Sequence, residues 1–82
     1  MLNPNEIREL QLKIAENNDD HAFGQLYMSF IHNLQQFANS IIKDYDLAEE
    51  IVSDVFLKIW QNRLNLGKIE NFRLYIYIST KN

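Results

Sequence analysis

The sequence contains no cysteine. Disulfides, thiolate nucleophiles and Cys-based zinc sites are therefore excluded, and a reducing compartment, the cytoplasm, is the expected location. Glycine occurs twice and proline once, and neither a Gly-rich phosphate loop nor a nucleophile motif can be found. Apolar runs are short. None approaches the roughly 20 residues needed to cross a bilayer, so no membrane insertion is expected. The N-terminal part has no basic segment followed by an apolar run, and no secretory signal is expected. Histidine is scarce as well: His21 and His32 stand apart, and neither has a carboxylate at metal-ligand spacing. Asp46, Glu49, Glu50 and Asp54 do cluster, yet the Glu-x-x-His pairs of di-metal helix bundles are missing. The chain is expected to be no enzyme, with no catalytic residue, no metal and no cofactor.

What is present fits one small domain over residues 1–82. Hydrophobic residues make up 46 % of the 82 and charged ones 23 %, as in a folded domain with a modest core and marginal stability. The net charge of −3 hides a polarity. Up to Leu57 there are three basic residues (Arg8, Lys13, Lys43) against ten acidic ones. From Lys58 onward there are five (Lys58, Arg63, Lys68, Arg73, Lys81) against the single Glu70. Such a division suggests two surfaces with different partners.

The apolar spacing is helical almost throughout. Asn3-Pro4 reads as an N-cap followed by proline at the first helical position. Ile7, Leu10 and Ile14, with Leu12 beside them, mark a first helix from about Pro4 to Glu16. Asn17-Asn18-Asp19-Asp20 is a polar break whose last members can cap the next helix. From His21 to Lys43 the three-four rhythm runs through Phe23, Leu26, Tyr27, Phe30, Ile31, Leu34, Phe37, Ala38, Ile41 and Ile42, which is about six turns. Lys43-Asp44-Tyr45 then connects into the stretch around which the chain is organised, Asp46 to Trp60. Asp46 is expected to cap it, with Glu49 completing a capping box. Ala48, Ile51, Val52, Val55, Phe56, Ile59 and Trp60 fall on one face. Glu50, Ser53, Asp54, Leu57, Lys58 and Gln61 fall on the other, which is polar with an apolar Leu57 in its middle. Two long helices so closely joined must pack as an antiparallel hairpin. Arg63 to Glu70 reads as a loop in which Gly67 supplies a positive φ. Asn71 caps a last segment, Phe72 to Asn82, whose Leu74 to Ile78 have β propensity. A lone strand would have no partner, so it is read as a helix with Phe72, Tyr75, Ile76 and Ser79 on one face. The expected fold is all-α, a bundle of about four helices with a central antiparallel hairpin covered by the shorter first and last helices.

The C-terminal third interleaves cations with rings: Arg63, Lys68, Arg73 and Lys81 lie among Trp60, Phe72, Tyr75 and Tyr77. That pattern suits unpaired nucleic acid, whose phosphates meet cations and whose bases stack on rings. It suits equally a solvated rim around core aromatics. Five cations on a single strand would give a log-log salt slope of only about −3.5, so free DNA should bind weakly and a larger partner should supply much of the affinity.

Three blocks of residues carry a resemblance. They are Ala22-Phe23-Gly24-Gln25-Leu26-Tyr27, then Asp46 to Trp60 (DLAEEIVSDVFLKIW), then Ile69 to Tyr77 (IENFRLYIY) with Lys81-Asn82. Together, over about residues 20–82, they resemble region 2 of bacterial extracytoplasmic-function (ECF) RNA polymerase sigma factors. The Asn-Phe before the last helix is similar to the iron-citrate-regulator type common in Bacteroidetes. Against the family pattern, Ser53 replaces a usual Gln, Leu74 a usual Ala, and Ser79-Thr80-Lys81 an Ile-Ala-Arg. The resemblance implies a domain that docks on the clamp helices of the largest subunit of core RNA polymerase and captures the promoter −10 element as melted single strand. It places polymerase binding on Glu50, Ser53, Asp54, Leu57, Lys58 and Gln61. It places DNA binding on Arg63, Lys68, Asn71, Phe72, Arg73, Tyr75 and Asn82, with residues 64–70 forming a base pocket. It also implies an anti-sigma partner. The −35-reading domain of such factors is absent from these residues, so the chain is expected to be a fragment. Two rival functions are a helical protein-interaction module with no nucleic-acid role and a small metal-dependent enzyme.

Overall fold

In the computed structural model, which describes residues 2–82, helix α1 spans Pro4–Asn17, α2 Asp20–Ile42, α3 Tyr45–Gln61 and α4 Phe72–Lys81, with a 3₁₀ segment, Arg63–Lys68, between α3 and α4. No strand occurs among the described residues. The all-α architecture is as expected, and the β-prone residues of the last segment are helical.

Each helix starts at an Asn or Asp whose side chain takes up a first-turn amide. Asn3 Oδ1 accepts from Glu6 N at 2.8 Å while Asn3 N donates to Glu6 Oε1 at 3.0 Å, a reciprocal capping box. Asp19 accepts from Ala22 N at 3.0 Å, Asp44 from Leu47 N at 3.1 Å, and Asn71 from Leu74 N at 3.1 Å. The Asp44 cap corrects the sequence expectation. The cap of α3 is Asp44, not Asp46, and the Asp46–Glu49 box does not form. The cause lies in the link. Lys43 closes α2 in the left-handed conformation, φ 60°, with its N–H returning to Asn39 O at 2.7 Å. Only Asp44 (φ −144°, ψ 105°) then has the extended backbone that a cap requires.

α2 and α3 form the antiparallel hairpin. The ring of Phe23, early in α2, lies 5.0 Å from that of Trp60, late in α3. One turn further along α2, Tyr27 meets Phe56 edge-on at 4.8 Å. α4 lies in the groove of the hairpin and runs parallel to α2, as the ring pairs Phe72–Phe30 at 5.4 Å and Tyr77–Phe37 at 5.0 Å require. One buried cluster joins all of these: Ile7, Leu10 and Ile14 of α1, Leu26, Phe30 and Leu34 of α2, Val52 and Phe56 of α3, Leu66, and Phe72 and Ile76 of α4. The long axis of the molecule is 37 Å, about the length that 23 residues of helix give at 1.5 Å each.

Four further details differ from the sequence expectation. Residues 63–68 are a 3₁₀ helix, not an open loop. Gly67 has no positive φ; it sits against α1, where a Cβ would lie 3.5 Å from Leu12 Cδ2 and 3.9 Å from Ala15 Cβ. The buried row of α4 is Phe72, Ile76 and Thr80, while Tyr75 turns outward. Thr80 tolerates burial because its hydroxyl donates to Ile76 O at 2.8 Å, which leaves its methyl for the core. Ile41 is exposed and borders a depression that Ile51 of α3 and Thr80 of α4 also line.

α1 holds the 3₁₀ segment in place. Gln11, only 1 % exposed, donates through Nε2 to both Leu66 O and Ile69 O at 2.9 Å. Arg8 Nη1 adds a hydrogen bond to Ile69 O at 3.2 Å. The carbonyls leaving the 3₁₀ turn thus find donors on a neighbouring helix, as buried backbone requires.

Candidate functional site

The outward face of α3 is one surface. Glu50, Ser53, Asp54, Leu57, Lys58 and Gln61 are all exposed, while Ala48, Val52, Val55, Phe56 and Ile59 of the same helix are buried. Steps of three and four residues keep the exposed six in line. Leu57, at 54 % exposure, sits in the middle of this strip. Leu47, at 42 %, extends it by one turn toward the N-terminus. Leu47 was not singled out in the sequence, yet its spacing to Glu50 and Asp54 is the same three-four step. The result is a stripe of two leucines bordered by acidic side chains, a suitable composition for a helical partner with apolar and basic side chains.

The basic, aromatic end divides into residues that build the fold and residues that are free. Phe72 is 2 % exposed and packs on Phe30. It serves the core, and no base can stack on it here. The Asn71 carboxamide oxygen is engaged as the cap of α4. Arg63 lies 4.4 Å over the Trp60 ring, donates through Nε to Asn18 Oδ1 at 2.8 Å and through Nη1 to Trp60 O at 2.9 Å. It ties the exit of α3 to the α1–α2 turn, a structural task that uses two of its five donors. Arg73 is half-buried, with its guanidinium 5.1 Å over the Phe30 ring.

Lys68, Tyr75 and Asn82 remain exposed. Tyr75 stands between two shallow depressions. One, of about 420 Å³, is lined by Val55, Lys58, Ile59, Tyr75, Ile78, Ser79 and Asn82. The other, of about 340 Å³, is lined by Ile59, Asn62, Asn65, Leu66, Lys68, Ile69 and Tyr75. A ring at the divide, lysines on both sides and the carboxamides of Asn65, Asn82 and Asn62, the last already donating through Nδ2 to Lys58 O at 3.0 Å, can offer stacking, phosphate contacts and base-edge hydrogen bonds together. Of the two rings that the resemblance assigns to DNA binding, Phe72 is buried and Tyr75 is exposed. Asn62 and Asn65 were not singled out, and nothing in their local sequence distinguishes them from capping or turn residues. Lys58 belongs to the α3 strip and to the Tyr75 depression alike, so the two candidate surfaces are continuous.

Among the described residues, no group of three His, Asp or Glu side chains comes together, and no helix is long and apolar enough to cross a membrane. Comparison of the chain with models of protein families, with curated proteins and with solved structures gave no match.

Proposed function

We propose that this chain is the polymerase-docking and −10-recognising domain of an ECF-type sigma factor. On this account α3 meets the polymerase clamp helices through Glu50, Ser53, Asp54, Leu57, Lys58 and Gln61. The surface around Tyr75 receives the unpaired strand. The observation that carries the proposal is the continuity of these two surfaces through Lys58: an acidic, leucine-centred helix face passes directly into a lysine-flanked tyrosine with amide neighbours. A factor that holds polymerase and melted promoter together needs those two surfaces side by side. Such a role places the protein in the cytoplasm and makes an anti-sigma protein a natural competitor for the α3 strip.

A second function has its own support. Leu12, Met28, Ile41, Tyr45, Leu47, Leu57, Leu64, Leu74, Tyr75 and Ile78 are all exposed, which suits a helical adaptor that binds only proteins. Fluorescence anisotropy with labelled single-stranded and duplex −10-like oligonucleotides separates the two. The sigma assignment requires salt-sensitive binding that prefers the single strand and is lost in Tyr75→Ala. Absence of any such binding leaves the adaptor.

A further inference from the structure

A third depression, of about 400 Å³, opens on the other side of the Ile69–Asn71 link from the Tyr75 surface. It is lined by Pro4, Ile7, Arg8, Gln11, Glu70, Asn71, Phe72 and Arg73. Two arginines therefore line one recess, one from α1 and one from α4. Each is held by a contact that uses only part of it. Arg8 gives one Nη1 hydrogen bond to Ile69 O. Arg73 rests a face of its guanidinium on Phe30 at 5.1 Å and keeps its edge donors clear of that contact. A guanidinium presents five N–H donors in a rigid fork suited to phosphate oxygens. Fixing the two forks in advance lowers the ordering cost of binding. Glu70 lines the same recess, so the three side chains sum to a single positive charge, the complement of one phosphodiester.

We propose that Arg8 and Arg73 form a backbone-phosphate subsite for the single strand whose bases lie at Tyr75. This rests on the nucleic-acid function proposed above, and it brings α1, which lies outside the segment carrying the sigma-factor resemblance, into the binding surface. A strand crossing the Ile69–Asn71 link would contact Lys68 and Tyr75 on one side and the two arginines on the other. Arg8 thus both braces the link and binds the strand that passes over it.

The test is the salt dependence of oligonucleotide binding by the intact domain. Each single-strand phosphate contact contributes about 0.7 to the log-log slope. Arg8→Gln and Arg73→Gln each remove one charge; the Arg8 hydrogen bond lost with the first is a single exposed one of 3.2 Å, and Gln11 still donates to Ile69 O. Each variant is expected to melt like the wild type and to reduce the slope by about 0.7. Lys13→Gln, an exposed position outside the recess, leaves it unchanged. Glu70→Gln tightens binding. A folded Arg8→Gln or Arg73→Gln domain that binds with the wild-type slope overturns the subsite and leaves the function proposed for the Tyr75 surface standing. A wild-type domain that binds no single strand at low salt overturns both.

Discussion

Among the described residues Gln11 is the one buried side chain with a carboxamide, and its replacement tests how the 3₁₀ segment is held. Its Nε2 donates to Leu66 O and Ile69 O, both at 2.9 Å. Each carbonyl has a second partner: Leu66 O accepts from Ile69 N at 3.2 Å, and Ile69 O from Arg8 Nη1 at 3.2 Å. Gln11→Met keeps the volume and removes both hydrogen bonds without leaving either oxygen wholly unpaired. At about 0.5–1.5 kcal/mol per bond, the expected loss for the two is about 1–3 kcal/mol. Gln11→Glu is a harsher change. An ionised carboxylate has no donors and would face two carbonyl oxygens in a site that excludes water. The expected loss is about 3 kcal/mol or more, against a total stability of the order of 4–12 kcal/mol for a domain of this size. Urea unfolding followed by circular dichroism measures both. Amide exchange at Asn65 and Ile69, whose N–H groups close the 3₁₀ turn onto Asn62 O and Leu66 O, localises the effect. If Gln11→Glu shifts stability by less than about 0.5 kcal/mol and exchange at Ile69 is unchanged, Gln11 does not anchor the segment.

Asp44→Ala should destabilise the domain by about 1 kcal/mol through loss of the α3 cap, whereas Asp46→Ala should cost only a few tenths through the helix dipole; thermal unfolding distinguishes them. Lys43→Gly should raise stability by about 0.5–1 kcal/mol, since glycine adopts φ 60° without the Cβ penalty a lysine bears there. Phe72→Ala should cost about 3–5 kcal/mol of folding free energy. Tyr75→Ala should leave the melting temperature nearly unchanged and weaken single-strand binding by about 1–3 kcal/mol, as anisotropy titration would read.

The first three helices were legible because their apolar spacing is regular and each is preceded by Asn or Asp residues, whereas α4, with its β-prone Leu74 to Ile78, was assigned only because a lone strand would lack a partner. The hairpin followed from the shortness of the link between its two long members. Two aspartates two positions apart, Asp44 and Asp46, were harder to separate. Asp46 has the better local signature, with Glu49 three residues on, and the choice was made by the left-handed Lys43 at the end of the preceding helix. That is a property of two helices meeting and not of either alone. The 3₁₀ segment had no periodic signal of its own, because its shape is imposed by Gln11 and Arg8, which lie more than 50 residues earlier in the chain. Gln11 could have been suspected from its place between Ile7 and Ile14 on the buried side of α1. The exposed strip of α3 was readable from a helical wheel. The rotation of α4 was not, since Phe72, Tyr75, Ile76 and Thr80 are all compatible with a core and only packing against Phe30 decides which of them enter it.

The most direct measurement is a pull-down of core RNA polymerase, or of its clamp-helix fragment alone, with the wild-type domain and with an Asp54→Lys, Leu57→Glu double variant. Both changed positions are exposed, so the variant should fold normally. The account predicts that the wild type retains polymerase and that the folded double variant does not. A folded wild-type domain that fails to retain polymerase would contradict the sigma-factor function.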